Sequence, residues 1–330
     1  IELVPAEGPL LRASESVTAD FFWAARGAGS GFFGIVTKYV LKLHPLPKAI
    51  HGSQSFYRLA DAPAVGTWLG QAAPAISPSV ELTLFLVQAP PALADRAAGS
   101  NGWVCLVTAT AFEDDPEAAR RALQPLDDAP VEPLSRSRVT PLDFEQLFDA
   151  SGALFPEGVR SRVEATYSDH CPGAVMAAIL PAWQRAPSAI SVFLTTIFCG
   201  PHVPGPQRDM ARSITAKIYG GPWTMWHDAD ADAVNAEWHR TVTAVLKPFN
   251  VGYYIGETNT VEQPEIVAQA FTPEKWRRLC DLRDRYDPDR VFFDYFDGLT
   301  AEPRRQLGDE RTARRSTRRR RPAARSDEAL

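Results

Sequence analysis

Residues 20–45 read DFFWAARGAGSGFFGIVTKYVLKLHP, and the order of patterns within them decides the fold. Thr18 stands where it can cap a short amphipathic helix. Asp20 falls in the first turn, where a carboxylate suits the helix dipole. Phe21, Phe22 and Trp23 give the helix a bulky apolar load. Gly27, Gly29, Gly31 and Gly34 then stop it and allow backbone shapes that side chains forbid. From Gly34 the periodicity becomes two. Ile35, Thr37, Tyr39, Leu41 and Leu43 share one face of an expected strand, and Val36, Lys38, Val40 and Lys42 the other. A Rossmann dinucleotide site needs the opposite order, strand then glycines then helix. The Gly27–Gly31 spacing therefore predicts either a tight helix-to-strand turn or a glycine loop whose N–H groups can lie against a flat or phosphorylated ligand.

The surrounding chain sets bounds. Its 330 residues suffice for two domains, and 45% hydrophobic content is ordinary for a globular protein. No apolar run is long enough to span a bilayer, and no signal peptide is visible after Ile1, so a soluble protein of unspecified compartment is expected. The net charge is −5, but residues 301–330 hold ten Arg against five Asp or Glu. The remaining body has 25 basic and 35 acidic residues, near −10, which argues against nucleic-acid binding by the folded body. Cys105, Cys171, Cys199 and Cys280 are widely spaced without metal-ligand pattern and are expected to be buried free thiols.

Along the chain, 1–17 reads as strand, turn at Glu7-Gly8, strand. The His44-Pro45-Leu46-Pro47 stretch marks an exit, with His44 read as a linker residue. Between 48 and 247, helix signals fall at 60–72, 115–124, 142–149, 173–185 and 229–245. Strand signals fall at 80–88, 103–111, 160–167, 190–198 and 214–219. At 272–286 Thr272 caps, Pro273 is first, and Trp276, Leu279 and Cys280 form the buried stripe of a helix stopped by Tyr286-Asp287-Pro288. The segment 297–330, with Arg311, Arg314, Arg315 and Arg318–Arg321, should be disordered.

In the register Asp20, Phe22, Trp23, Ala24, Arg26, Gly27, Gly29, Gly31, Phe33, Gly34, Ile35, Val36, Thr37, the chain resembles the FAD-linked oxidases of the vanillyl-alcohol oxidase superfamily, in particular the berberine-bridge-enzyme-like branch. Phe32 stands where that family carries Asn. Asn250–Glu257 is similar to the family's G-x-Y-x-N-E segment, with Tyr254 and Glu257 matching and Gly256 replacing Asn. Phe271, Lys275, Trp276, Leu279, Tyr286, Asp287, Pro288 and Phe292 follow its closing element, with Arg283 in the second lysine position. The resemblance implies an α+β fold in four parts. Residues 1–46 would be the C-terminal portion of a truncated PCMH-type FAD-binding domain. Residues 47–247 would be a substrate domain, an antiparallel sheet covered by helices. Residues 248–296 would return to the flavin domain, and 297–330 would be a foreign tail. It also implies that the first part of the flavin domain, with its main phosphate loop, is missing, so that the chain holds FAD poorly.

The implied chemistry is hydride transfer from a small alcohol, sugar or secondary metabolite to flavin N5, with oxygen or another acceptor closing the cycle. Gly27, Gly29, Gly31, Gly34, Ile35, Val36, Tyr254 and Gly256 are the expected cofactor contacts. Tyr254, Glu257 and Tyr167 are the candidate proton acceptors, with Glu164 a further one. A non-catalytic remnant that binds a small molecule but little FAD stays open as the alternative.

Overall fold

The computed structural model describes residues 1–201, 208–292 and 295, and the expected Arg-rich tail over 297–330 lies outside them. The described residues form two antiparallel sheets. The smaller sheet has β1 (Glu2–Pro5), β2 (Leu11–Arg12) and β3 (Gly34–Lys38) in the order β2-β1-β3. The larger contains β4 (Ala49–Arg58), β5 (Val80–Gln88), β6 (Trp103–Glu113), β7 (Ser135–Arg136), β8 (Thr140–Pro141), β9 (Arg160–Ser168), β10 (Val192–Ile197), β11 (Ile218–Trp226) and β12 (Gly252–Thr258). Its order is β12-β9-β11-β10-β5-β6-β4-β7, with β8 also on β4.

The helices are α1 (Ala19–Ala25), α2 (Ala62–Ala72), the single turn α3 (Ala94–Ala97), α4 (Pro116–Leu123), α5 (Phe144–Leu154), α6 (Pro172–Trp183), α7 (Asp232–Leu246) and α8 (Pro273–Tyr286). Helices α2, α4, α6 and α7 cover one face of the large sheet. There Leu82, Leu84, Leu86, Cys105 and Phe193 meet Leu69, Leu123, Ile179, Trp183 and Val242 in one core. A separate core joins the chain's beginning to its end: Leu3, Phe21, Trp23 and Phe33 pack with Tyr253, Ile255, Leu279 and Leu282. This α+β arrangement is the expected class.

Several local expectations need correction. Thr18 does not cap α1. It sits in the left-handed region at φ 43°, and its hydroxyl donates to the Arg12 carbonyl at 2.5 Å. The strand from Gly34 stops at Lys38, not Leu43. A strand needs a ladder partner, among the described residues β3 pairs with β1 alone, and Tyr39, Val40, Leu41 and Leu43 run on exposed and irregular. The strand expected at 214–219 runs instead over Ile218–Trp226, and β4 had no counterpart in the sequence reading. Of the cysteines only Cys105 is buried, and Cys171 is exposed. On α8 the buried residues are Leu279, Leu282 and Arg283, with Trp276 and Cys280 only half-buried. Asp115 and Thr272 do cap their helices, accepting from the N–H groups of Ala118 and Lys275. No helix among the described residues is long and apolar enough to cross a membrane.

Helix α7 is tied to β11 inside the core by His239, whose Nδ1 lies 2.8 Å from the Thr224 hydroxyl. Burial pushes this imidazole down to about 4. A histidine held neutral in the fold but free to protonate when unfolded stabilises the protein above pH about 6.5, its ordinary value, and that stabilisation is lost as pH falls toward about 4. Urea titrations are expected to show up to about 3 kcal/mol lost across that window. In His239→Gln the slope should flatten. An unchanged pH slope in the variant would contradict the assignment.

Candidate functional site

The site lies where the second core meets β12 and β9. After α1 the backbone turns through Gly27 (φ 127°) and a 3-10 turn over Gly29–Gly31. A Cβ on Gly27 would come within 2.2 Å of the Arg212 backbone nitrogen, so glycine is required for the crossing segment to lie against the loop. The Arg212 N–H then donates to the Arg26 carbonyl at 3.0 Å. The guanidinium of Arg212 reaches back and donates to the Tyr167 hydroxyl at 3.2 Å. Gly27, Tyr167, Arg212, Tyr253, Tyr254 and Ile255 line one cavity of about 250 Å³. Burial raises the Tyr167 phenol, and Arg212 opposes that shift.

Tyr167 is the inner member of a tyrosine row. Its ring centroid is 5.2 Å from that of Tyr219, which is 5.9 Å from that of Tyr254. Tyr167 and Tyr219 face each other across β9 and β11, so they share a sheet face. Tyr254 and Glu257 reach the row from β12, which pairs with β9 at Gly252 and Tyr253, then bulges before Thr258. The Tyr219 hydroxyl donates to the Glu257 carboxylate. Burial first, then this carboxylate, pushes the Tyr219 phenol far above its usual range. Tyr219 therefore stays protonated, and Glu257 is the acceptor of the pair. Gly256 leaves room for the Tyr254 ring, which a Cβ there would approach at 3.2 Å.

The sequence-expected residues divide. Gly27, Tyr254 and Tyr167 line the cavity, Gly29 packs against Ile255 beside it, and Glu257 and Gly256 border a second, larger cavity next door. The structure does not bring Gly31, Gly34, Ile35 and Val36 to either cavity. Gly31 is closed off by the Tyr295 hydroxyl, Gly34 and Val36 pair with Pro5 and Leu3 in the small sheet, and Ile35 is exposed. Glu164 is fully buried away from both, accepting from Gln263 Nε2 at 2.6 Å. Burial raises its carboxyl. Sequence reasoning missed Tyr219 and Arg212. Tyr219 had a signal in its place beside a glycine pair on a strand, whereas Arg212 belongs to no motif.

The cavity's chemistry suits a flat heteroaromatic ring: aromatic and aliphatic walls with the Arg212 guanidinium as a donor to ring oxygens or nitrogens, the guanidinium of Arg26, which also lines it, being turned to the Phe22 and Asp209 carbonyls. Its volume is below the usual 300–1,000 Å³ of a small-molecule pocket, so it can take a ring system but not a whole dinucleotide.

No protein-family model matches the chain. It is 24% identical over 303 residues to the FAD-linked oxidoreductase nodO of Hypoxylon pulicicidum, matching 87% of this chain and 62% of that protein. It is 22% identical over 293 residues to the FAD-linked oxidoreductase ptmO of Penicillium ochrochloron, at 87% and 61%. Among solved structures, 6-hydroxy-D-nicotine oxidase from Arthrobacter nicotinovorans superposes with a TM-score of 0.70 at 20% identity, covering 89% of this chain and 64% of that one. A berberine-bridge-enzyme-like protein of Arabidopsis thaliana gives 0.70 at 16%, covering 89% and 65%. The chain thus resembles FAD-linked oxidoreductases over most of its length and has the fold of the berberine-bridge-like flavoproteins. It spans about three fifths of the length of the curated relatives it matches.

Gly27→Ala puts a side chain into a left-handed, closely packed position. It should lower stability by about 1–3 kcal/mol in chemical denaturation. A loss below about 0.5 kcal/mol would contradict the crossing as described.

Proposed function

We propose that the chain forms the substrate-facing part of an FAD-dependent oxidoreductase, acting on a small alcohol, sugar or secondary metabolite. The observation that carries this reading is convergence. Gly27 from the first glycine loop and Tyr254 from near the other end of the folded body line one ring-sized cavity, and a phenol–carboxylate pair stands next to it. Named similarity to FAD-linked oxidoreductases supports it.

A bound flavin supplies the hydride acceptor. Gly27, Tyr254, Ile255 and Arg212 would hold its ring. Arg212, already fixed by Tyr167, places positive charge at the cavity, where negative charge on a ring system is stabilised. Tyr219 and Glu257 act on the substrate. Glu257 takes the hydroxyl proton directly or through Tyr219, which donates to it in the resting state. Tyr254 ends the row on its outer side, with its ring against Tyr219.

A second reading has its own support. The cavity is too small for the dinucleotide, so on this reading the chain by itself binds a flat small molecule and shows no saturable binding of flavin. Titration with FAD, followed by flavin fluorescence, separates the two. The proposed function expects saturable, weak binding that riboflavin competes. In protein loaded with flavin, Glu257→Gln should slow reduction by substrate about 100-fold or more, and Tyr219→Phe less, with flavin affinity changed under about two-fold. Absence of saturable flavin binding, or full reduction rates in Glu257→Gln, would overturn it.

A further inference from the structure

The larger cavity, about 910 Å³, begins where the tyrosine row ends. It exists because β12 meets β9 at only three positions, opposite Glu164, Thr166 and Tyr167. The outer edge of β9 from Arg160 to Val163 therefore has no strand beside it among the described residues. The end of β12 and the segment after it form the far wall instead, with Glu257, Thr258, Asn259 and Glu262.

Two features fix what this space can take. The first is an aromatic wall. Trp223 lies four residues beyond Tyr219 on β11, so both project from the same sheet face, and Val163 stands opposite Trp223 on β9. The indole is half-exposed, and its other flank is covered by Phe155, ring centroids 4.7 Å apart. A flat ring that enters the cavity can lie on Trp223 with its end toward Glu257.

The second feature is charge. Both guanidinium groups at the cavity are already paired, Arg160 with Asp232 and Arg162 with Glu262. Glu257 accepts from the neutral Tyr219 phenol and has no cationic partner within ion-pair distance among the described residues. The lining is left with one net negative charge, held at the end nearest the proposed reacting position.

We infer that this cavity is the substrate site and that its occupants are flat aromatic molecules carrying a neutral hydroxyl or a protonated amine, with aromatic carboxylates excluded. The inference rests on the oxidoreductase reading for the word substrate, but the selectivity follows from Trp223 and Glu257 alone. An amine or hydroxyl gives Glu257 a donor, whereas a carboxylate meets like charge while both lining guanidiniums are already paired.

Three ligands with one ring system test this: 2-naphthylmethanol, 2-naphthylmethylamine and 2-naphthoate, titrated calorimetrically into the 330-residue chain at neutral pH. The amine and the alcohol should bind, with naphthoate weaker than the amine by about ten-fold or more. Trp223→Leu should weaken amine and alcohol about five-fold or more. Glu257→Gln should bring naphthoate to within about three-fold of the amine while the variant still binds the alcohol. Naphthoate binding as tightly as the amine, no effect of Trp223→Leu in a folded variant, unchanged selectivity in Glu257→Gln, or no binding of any of the three would each overturn the inference. Flavin titrated into the same samples and followed by its fluorescence reports on the other reading. Charge selectivity without flavin binding sinks the oxidoreductase reading and spares the aromatic site, and flavin binding without selectivity does the reverse.

Discussion

A guanidinium taken out of water has to be matched, and Arg283 is almost wholly enclosed, with its side chain 1% exposed. Its match comes from both ends of the folded chain. It donates to the Gly31 carbonyl at 3.3 Å and the Phe292 carbonyl at 2.6 Å, and it pairs with the equally buried Asp287. Asp287 in turn accepts from the N–H groups of Val291 and Phe292. Removing one partner of such an arrangement typically costs about 3–5 kcal/mol, because the other charge is left stranded. Two further bonds follow the same line: Tyr295 Oη to the Ala28 carbonyl at 2.9 Å, and Tyr286 Oη to Asp20 at 3.0 Å. The glycine loop is thereby locked to α8 and the segment after it, more than 250 residues away.

That lock determines where the candidate site falls. With Gly29 seated against Ile255, the adjoining Gly27 and Tyr254 open onto one cavity, and the bulge that follows in β12 carries Glu257 to Tyr219. The glycines divide the work. Gly31 admits the Tyr295 hydroxyl and so belongs to the lock, while Gly27 admits the Arg212 backbone and so places the guanidinium that fixes Tyr167. The large sheet contributes rigidity: the positions of Tyr167, Tyr219 and Trp223 are set by strand register over a helix-covered core. The proposed proton-handling groups are thus mounted partly on rigid strands and partly on a bulged segment held by the lock.

Much of this was legible in the residues. Long apolar runs such as VELTLFLVQ and WVCLVTATA gave their strands, and Asp115-Pro116 and Thr272-Pro273 gave helix starts with working caps. The misses have physical reasons. AIHGSQSFYR reads as polar and interrupted, yet it pairs along its length with β6, and packing overrode weak propensity. Gly220-Gly221-Pro222 reads as a turn, but β9 and β10 flank it on both sides and hold it as strand. Tyr39–Leu43 has strand periodicity but no strand edge beside it among the described residues. The site was half legible. Tyr254, Glu257 and Gly27 stood in recognisable words, but the Tyr219–Glu257 pair is created by a bulge and a cross-strand register, neither of which leaves a motif. Ile35 and Val36 carried the same wording but sit in the small sheet and line neither cavity, because wording along a strand does not say what its edge meets.

The central claim is that the two ends of the folded body together make one bed for a flavin ring. Crystals of the 330-residue chain soaked with riboflavin test it most directly. The account predicts isoalloxazine density between Gly27 and Tyr254, within hydrogen-bonding reach of Arg212. Ring density bound elsewhere on the molecule, or that cavity filled by rearranged side chains, would contradict it.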